Sequence, residues 1–291
     1  MSLTSQLRDP TSPVSRWMAG RVDRGAAAAL VDEVNAALAG RVPIVADRGD
    51  PRLVGRAFDY AFRWRLGPLE AQAARLGALL CAGEGWPGAP ALVAGLIRGG
   101  TDTGNPRVRL RACVVLSWFE VVFRSGEVPP PLRASWGAPG TRETAIALLK
   151  RVPPGPLADL EALLLHVADD WGAELEAPLR LNPAFAGSGD VGGADADWIV
   201  GTTLWDCKVS WVRRPFAHAH LLQGLGYVLL DDDDAYGLTA LGWYFPRQRA
   251  RVARNLTDTM RTLCGTGDLG ALRADFRAAL TAPPLGGRAT P

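Results

Sequence analysis

Two short apolar segments with a tight turn between them constrain the fold most. The segments are DWIVG, which begins at Asp197, and TLWDCKVSW, with a Gly-Thr-Thr turn between them. Short runs of β-branched and aromatic residues bounded by turn residues predict a β-hairpin. A helix of about four turns is predicted next, in RPFAHAHLLQGLGYVLL, followed by a second hairpin in YGLTALGWYF and ARVARNL. This order of strands and helices indicates an α/β fold.

The segments that flank the hairpins are predicted to be helical. PLADLEALLLHVADDWGAEL is predicted to form one amphipathic helix, and DLGALRADFRAAL a C-terminal helix. Four earlier segments have apolar residues three and four positions apart and are separated by Gly- and Pro-rich breaks: AAAALVDEVNAALAG, PRLVGRAFDYAFRWRLG, LEAQAARLGALLCAG and VRLRACVVLSWFEVVF. The last is apolar nearly all round, which predicts a central buried helix. We therefore expect a helical N-terminal region, residues 1–150, and an α/β domain, residues 151–291.

The composition is that of a globular protein and argues against several classes. Of the 291 residues, 48% are hydrophobic and 21% charged, and a net charge of +2 neither requires nor excludes a polyanionic partner. Four scattered cysteines without a C-x-x-C pair argue against a zinc knuckle or a disulfide framework. The N-terminus lacks a signal-peptide pattern, and the apolar stretches are too short to cross a membrane. A cytoplasmic protein without membrane contact is expected.

Lysine is scarce, which makes its position informative. Only Lys150 and Lys208 are lysines among the 32 basic residues. Residues alternate faces along a strand, so Asp206 and Lys208 are expected on one face and Cys207 on the other. The hairpin would also bring Asp197 beside Asp206. Two close carboxylates repel each other, and a hard divalent cation such as Mg²⁺ relieves that repulsion.

These residues resemble a known family. Asp197 and the Asp206-Cys207-Lys208 element resemble the PD-(D/E)XK nuclease core, in which a mixed central sheet is flanked by helices. Gln223 and Tyr227, four positions apart on the predicted helix, resemble the Q-x-x-x-Y motif of its RecB-like branch. The resemblance covers about residues 155–291. Residues 1–150 show no such likeness.

The resemblance implies a metal-dependent nuclease that hydrolyses phosphodiester bonds, most often in DNA with RNA not excluded, using Mg²⁺ or Mn²⁺. Asp197 and Asp206 would bind the metal, the Cys207 carbonyl would add a ligand, and Lys208 would position the attacking water. Gln223 and Tyr227 would support the site. Bacterial nucleases of this kind act in phage defence, restriction or repair. The helical region would contact substrate or protein partners.

Several alternatives stay open at this point. Asp195 competes with Asp197 as the lone aspartate, although Asp197 directly precedes the apolar strand. His166 on the upstream helix is the candidate for a further metal ligand, with Glu161 as its alternative. Asp206 and Lys208 could instead form an ordinary salt bridge on an exposed strand face. The chain could also be a nucleic-acid-binding or scaffold protein with a nuclease fold, silent or active only within a complex.

Two groups of charged residues near the predicted site have two interpretations each. The acidic run Asp231–Asp234 is typical of a solvated turn, with a cation site as the alternative. Six arginines could either steer phosphates or simply solubilise the surface: Arg213, Arg214, Arg247, Arg249, Arg251 and Arg254.

Overall fold

The computed structural model describes residues 2–47, 50–102 and 104–282. Within these ranges the chain forms fourteen α-helices and five β-strands. The helices are α1 Leu3–Arg8, α2 Pro13–Arg21, α3 Arg24–Ala37, α4 Pro51–Leu66, α5 Gln72–Gly83, α6 Ala89–Asp102, α7 Pro106–Ser125, α8 Pro130–Arg133, α9 Arg142–Lys150, α10 Pro154–Leu165, α11 Val167–Trp171, α12 His218–Leu230, α13 Leu256–Cys264 and α14 Leu269–Thr281. The strands are β1 Leu179–Leu181, β2 Trp198–Val200, β3 Thr203–Cys207, β4 Ala240–Phe245 and β5 Ala250–Asn255.

The described strands form one mixed sheet in the order β1-β2-β3-β4-β5. Neighbouring strands are antiparallel except β3 and β4, which run parallel and are connected through α12. Both predicted hairpins are confirmed, as β2–β3 and β4–β5. The α/β class predicted from the order of elements is also confirmed.

Helices cover the sheet on both faces. Trp198, Trp205 and Tyr244 point to a core that they share with helices α4 to α11. Their sequence neighbours, such as Leu204 and Trp243, point to the opposite core, which contains α1 to α3 and α12 to α14. This division follows from the alternation of side chains along a strand. Each core therefore combines residues from before and after position 150.

Local signals set the ends of the predicted N-terminal helices. Helix α4 begins at Pro51 after Asp50, whose carboxylate accepts hydrogen bonds from the backbone N–H groups of Arg52 and Leu53. Helix α7 ends at Ser125 and is followed by Gly126, which adopts a φ of 71° that favours glycine. Buried residues occur all round the middle of α7, as its apolar sequence predicts.

The prediction of one helix over PLADLEALLLHVADDWGAEL is wrong. Helix α10 ends at Leu165 and α11 begins at Val167, so the predicted helix is interrupted at His166. This break lets α11 direct Trp171 against the rings of Trp198 and Trp205, with centroid distances of 5.9 and 5.0 Å. Aromatic burial outside the segment thus outweighs its helical periodicity. None of the described helices combines the length and apolar character needed to span a bilayer.

Candidate active site

The β2–β3 hairpin brings the two predicted aspartates together. Trp198 pairs with Trp205 in the antiparallel register, so the next position outward sets Asp197 opposite Asp206. The Asp197 carboxylate, through Oδ2, accepts a hydrogen bond from the backbone N–H of Cys207 at 2.6 Å. Cys207 packs against the α4–α11 core, on the face opposite to Asp206. The hairpin thus holds both carboxyl groups at one end of the sheet.

Lys208 lies directly beside Asp206. Its Nζ atom is 2.6 Å from Asp206 Oδ2, and the two side chains are only 13% and 4% exposed. The backbone N–H of Lys208 donates to the Tyr244 carbonyl at 2.8 Å, which extends the β3–β4 pairing by one residue beyond the strand. The two side chains do form a salt bridge, but it is mostly buried and does not lie on an exposed strand face.

Helix α12 fixes the position of the lysine side chain. Lys208 Nζ donates to Gln223 Oε1 at 3.0 Å, and Gln223 Nε2 donates to the Tyr227 hydroxyl at 2.8 Å and to Thr4 Oγ1 at 3.4 Å. An ammonium group has only donors, so the oxygen of the amide must face Lys208. Gln223 and Tyr227, one turn apart on the helix, therefore form one hydrogen-bonded chain that ends at the lysine.

The surroundings of Asp197 and Asp206 disfavour ionisation of both carboxyl groups. Burial raises the pKa of Asp197 to about 6, and the neighbouring Asp206 acts in the same direction while Lys208 opposes it. Burial also raises the pKa of Asp206, again against the opposing effect of Lys208. One ammonium group therefore does not offset the cost of two buried carboxylates. A further cation would stabilise their ionised form.

The helical region supplies charged groups beside Asp197 that sequence reasoning missed. Asp59 and Arg63, one turn apart on α4, form an ion pair whose side chains are mostly buried. Burial raises the pKa of Asp59 to about 7; Arg63 opposes this shift, while Asp197 and Glu120 reinforce it. The signal in the sequence is an Asp-x-x-x-Arg pair among the apolar residues of GRAFDYAFRWRL. Buried charges need partners, so helix α4 contributes charged groups to the site as well as apolar packing.

The oxygen atoms of the site fit a hard divalent cation. Among the described residues, Asp59 Oδ1 is buried without a hydrogen-bond donor, and the buried Asp206 Oδ2 lies 2.6 Å from Lys208 Nζ. Mg²⁺ takes oxygen ligands and is commonly held by one or two carboxylates together with water and substrate phosphates. Asp197 and Asp206 supply such a pair. In the described part of the chain, no group of three or more His, Cys, Asp or Glu side chains is placed so that together they could hold a metal ion.

The other predicted ligands lie apart from this cluster or stay predictions. His166 occupies the junction of α10 and α11, and its side chain has no hydrogen bond or ion pair with any described residue. Glu161 instead pairs with Arg107, at 2.7 Å, on an exposed surface. Asp195 is exposed and forms an isolated backbone bridge with Ala184. The role of the Cys207 carbonyl stays a prediction.

Most of the arginines near the site already have acidic partners. Arg247 is fully buried and paired with Asp159, so its interpretation as a surface residue is wrong. The remaining pairs are Arg214 with Asp32, Arg249 with Asp170, Arg251 with Glu174, and Arg254 with Glu33. The acidic run forms a turn in which Asp233 and Asp234 are exposed, whereas Asp231 is buried against Arg273 at 3.0 Å.

Two carboxylates and one ammonium group at a sheet end can act together on a phosphate. The carboxylates attract a cation, and the ammonium group can donate to an anionic oxygen or to water.

Scans of protein-family models, of curated proteins and of solved structures gave no significant match to this chain.

Proposed function

We propose that this protein is a metal-dependent nuclease with a PD-(D/E)XK-type core that hydrolyses phosphodiester bonds in DNA. The observation that carries the proposal is the buried contact between Lys208 and Asp206, opposite Asp197. The mixed sheet covered by helices on both faces also supports it.

Asp197 and Asp206 would hold Mg²⁺ or Mn²⁺. When bound, a divalent cation supplies Lewis-acid stabilisation of the negative charge that develops on the phosphate. The chain contributes the geometry around it. The backbone N–H of Cys207 orients the Asp197 carboxylate, and the short hairpin keeps it opposite Asp206.

Lys208 would act on the attacking water or on a phosphate oxygen. Its ammonium group has three N–H donors, of which one is directed at Asp206 and one at Gln223. The third is available for water or substrate. Tyr227 acts through Gln223. Its hydroxyl accepts a hydrogen bond from the Gln223 amide nitrogen and so orients the amide oxygen that accepts from Lys208. Gln223 and Tyr227 are therefore positioning residues.

Cleavage assays with each metal test the proposal. We expect nicking or degradation of plasmid and linear DNA in Mg²⁺ or Mn²⁺, and none in EDTA. Asp206→Ala should lower the rate by about 100-fold or more, because the lost metal contact supports several kcal/mol of transition-state stabilisation. Asp258→Ala, which removes an exposed carboxylate paired with Arg261, is the matched control and should keep the full rate.

The same assay distinguishes the alternative function. An RNA substrate of the same sequence would show whether the activity prefers DNA. Binding to DNA without cleavage in any metal would contradict the nuclease and favour a nucleic-acid-binding or scaffold protein. Cleavage that survives Asp206→Ala would overturn the site assignment.

A further inference from the structure

A cavity of about 460 Å³ lies beside the segment that follows Lys208 along the chain. It is formed by the C-terminal end of α3 together with the segment that follows β3, and its lining includes Trp211, Arg41, Arg213 and Arg214. Its volume falls within the range of roughly 300–1,000 Å³ that is usual for small-molecule sites. The cavity therefore has room for a group such as one nucleotide.

The aromatic ring that lines this cavity packs against a buried arginine. The guanidinium carbon of Arg247 lies 5.1 Å from the centroid of the Trp211 ring. Arg247 is itself fixed, because it is fully buried and paired with Asp159. Gln248 Nε2 donates to the Ser210 carbonyl at 2.9 Å and anchors the segment just before the ring. Trp211 is thus a rigid, partly exposed aromatic surface on an anchored loop.

The charge of the cavity is positive. Arg41 Nη1 donates to the Arg249 carbonyl at 2.8 Å, and this neutral partner leaves its charge uncompensated. Arg213 is exposed, and its side chain has no hydrogen-bond or ion-pair partner among the described residues. Only Arg214 is neutralised, by Asp32. An aromatic ring beside two uncompensated arginines matches the base and phosphate of a nucleotide.

The chain connects this cavity closely to Lys208. Trp211 follows Lys208 by three residues, and three residues span at most about 11 Å. A nucleic-acid strand that reached Lys208 would therefore pass within reach of Trp211. A duplex keeps its bases stacked inside, whereas a single strand can present them to a protein ring.

We infer that this cavity binds one nucleotide of a single-stranded nucleic acid, with its base stacked on Trp211 and its phosphate facing Arg41 and Arg213. The inference rests on the proposed function and specifies the form of its substrate near the site of cleavage. Trp211 would stack on any base, whatever the sequence, since every base has an aromatic face.

Binding of fluorescein-labelled oligothymidylate, followed by fluorescence anisotropy in EDTA, tests this without cleavage. We expect Trp211→Leu to weaken binding about tenfold, and Trp211→Phe to retain most of the affinity. An oligomer of the same length built from abasic sugar-phosphates should bind the wild type and Trp211→Leu equally. Loss of the same factor on both oligomers would overturn the stacking role, and so would unchanged affinity for oligothymidylate.

Arginine variants test the phosphate contact. Arg213→Gln should reduce the slope of the logarithm of affinity against the logarithm of salt concentration by about 0.7. Arg142→Gln removes the same charge from exposed α9 and should leave the slope unchanged. Equal slopes for both variants would overturn the contact. Polyglutamate that displaced oligothymidylate at equal charge concentration would indicate an acidic protein partner instead of a nucleotide and overturn the inference.

The two proposals can fail separately. If Asp206→Ala abolishes cleavage but Trp211→Leu leaves oligothymidylate affinity intact, the nucleotide cavity is wrong and the nuclease stands. If no metal supports cleavage but base-dependent binding requires Trp211, the cavity stands and the nuclease is wrong.

Discussion

Replacing Lys208 with methionine is expected to lower the rate of DNA cleavage by about 100- to 1,000-fold. The ammonium group is held between Asp206 and Gln223, and in the proposed mechanism this is where charge develops during the reaction. Removal of one such preorganised group costs about this factor in other enzymes. Methionine keeps the length and apolar stem of the side chain, so the effect isolates the charge. Single-turnover cleavage of linear DNA in Mg²⁺ measures it.

The only other lysine provides the control. Lys150 is exposed at the end of α9, and Lys150→Met should cleave at the wild-type rate. Lys208→Arg should also be defective, because a planar guanidinium group cannot reproduce the contacts of a compact ammonium group in a buried site. Cleavage by Lys208→Met within a few-fold of the wild type would contradict any role of this amine in the reaction.

The second large effect concerns stability. Arg247→Leu is expected to lower the free energy of unfolding by about 3–5 kcal/mol, because it leaves the Asp159 carboxylate buried without its cation. Both side chains have no exposed surface. Arg247 also donates to the Ile44 carbonyl at 2.7 Å, so it joins the β4–β5 turn to α10 and to the segment before α4. Urea denaturation followed by circular dichroism measures the loss.

Two comparisons separate this effect from general sensitivity to arginine loss. Arg107→Leu removes the exposed pair with Glu161 and should cost less than about 1 kcal/mol. The double variant Arg247→Leu/Asp159→Leu should recover part of the loss, because no unpaired charge remains. A loss for Arg247→Leu no greater than that for Arg107→Leu would contradict the structural role of the buried pair.

Elements whose signals are local could be predicted from the sequence. The β2–β3 hairpin has its turn and both strands within a few residues, and helix α4 begins with a capping aspartate and a proline. Strand β1 could not be predicted. It has only three residues, too few for a period of two to show, and it forms by pairing with β2.

The residues of the candidate site also fall into two groups, those with a local sequence signal and those placed only by tertiary packing. Asp206 and Lys208 could be placed together because side chains alternate along a strand, and Gln223 was assigned to the same site through the family resemblance. Asp59 could not, because α4 reaches Asp197 only through tertiary packing. Arg247 was grouped with surface arginines, since a charged residue in a turn gives no sign of burial until its partner, Asp159, is known.

Binding of Mn²⁺, measured by isothermal titration calorimetry, tests most directly whether Asp197 and Asp206 form one cation site. We predict that the wild type binds Mn²⁺ and that Asp197→Asn weakens binding at least about tenfold, since it removes one of two charged ligands. Affinity should also fall as the pH drops below about 6, because burial raises the pKa of Asp197 to about 6 and its protonated form does not bind metal. Asp195→Asn, which removes an exposed carboxylate two residues away, should bind as the wild type does. Equal affinity in wild type and Asp197→Asn, or a loss confined to Asp195→Asn, would contradict the site.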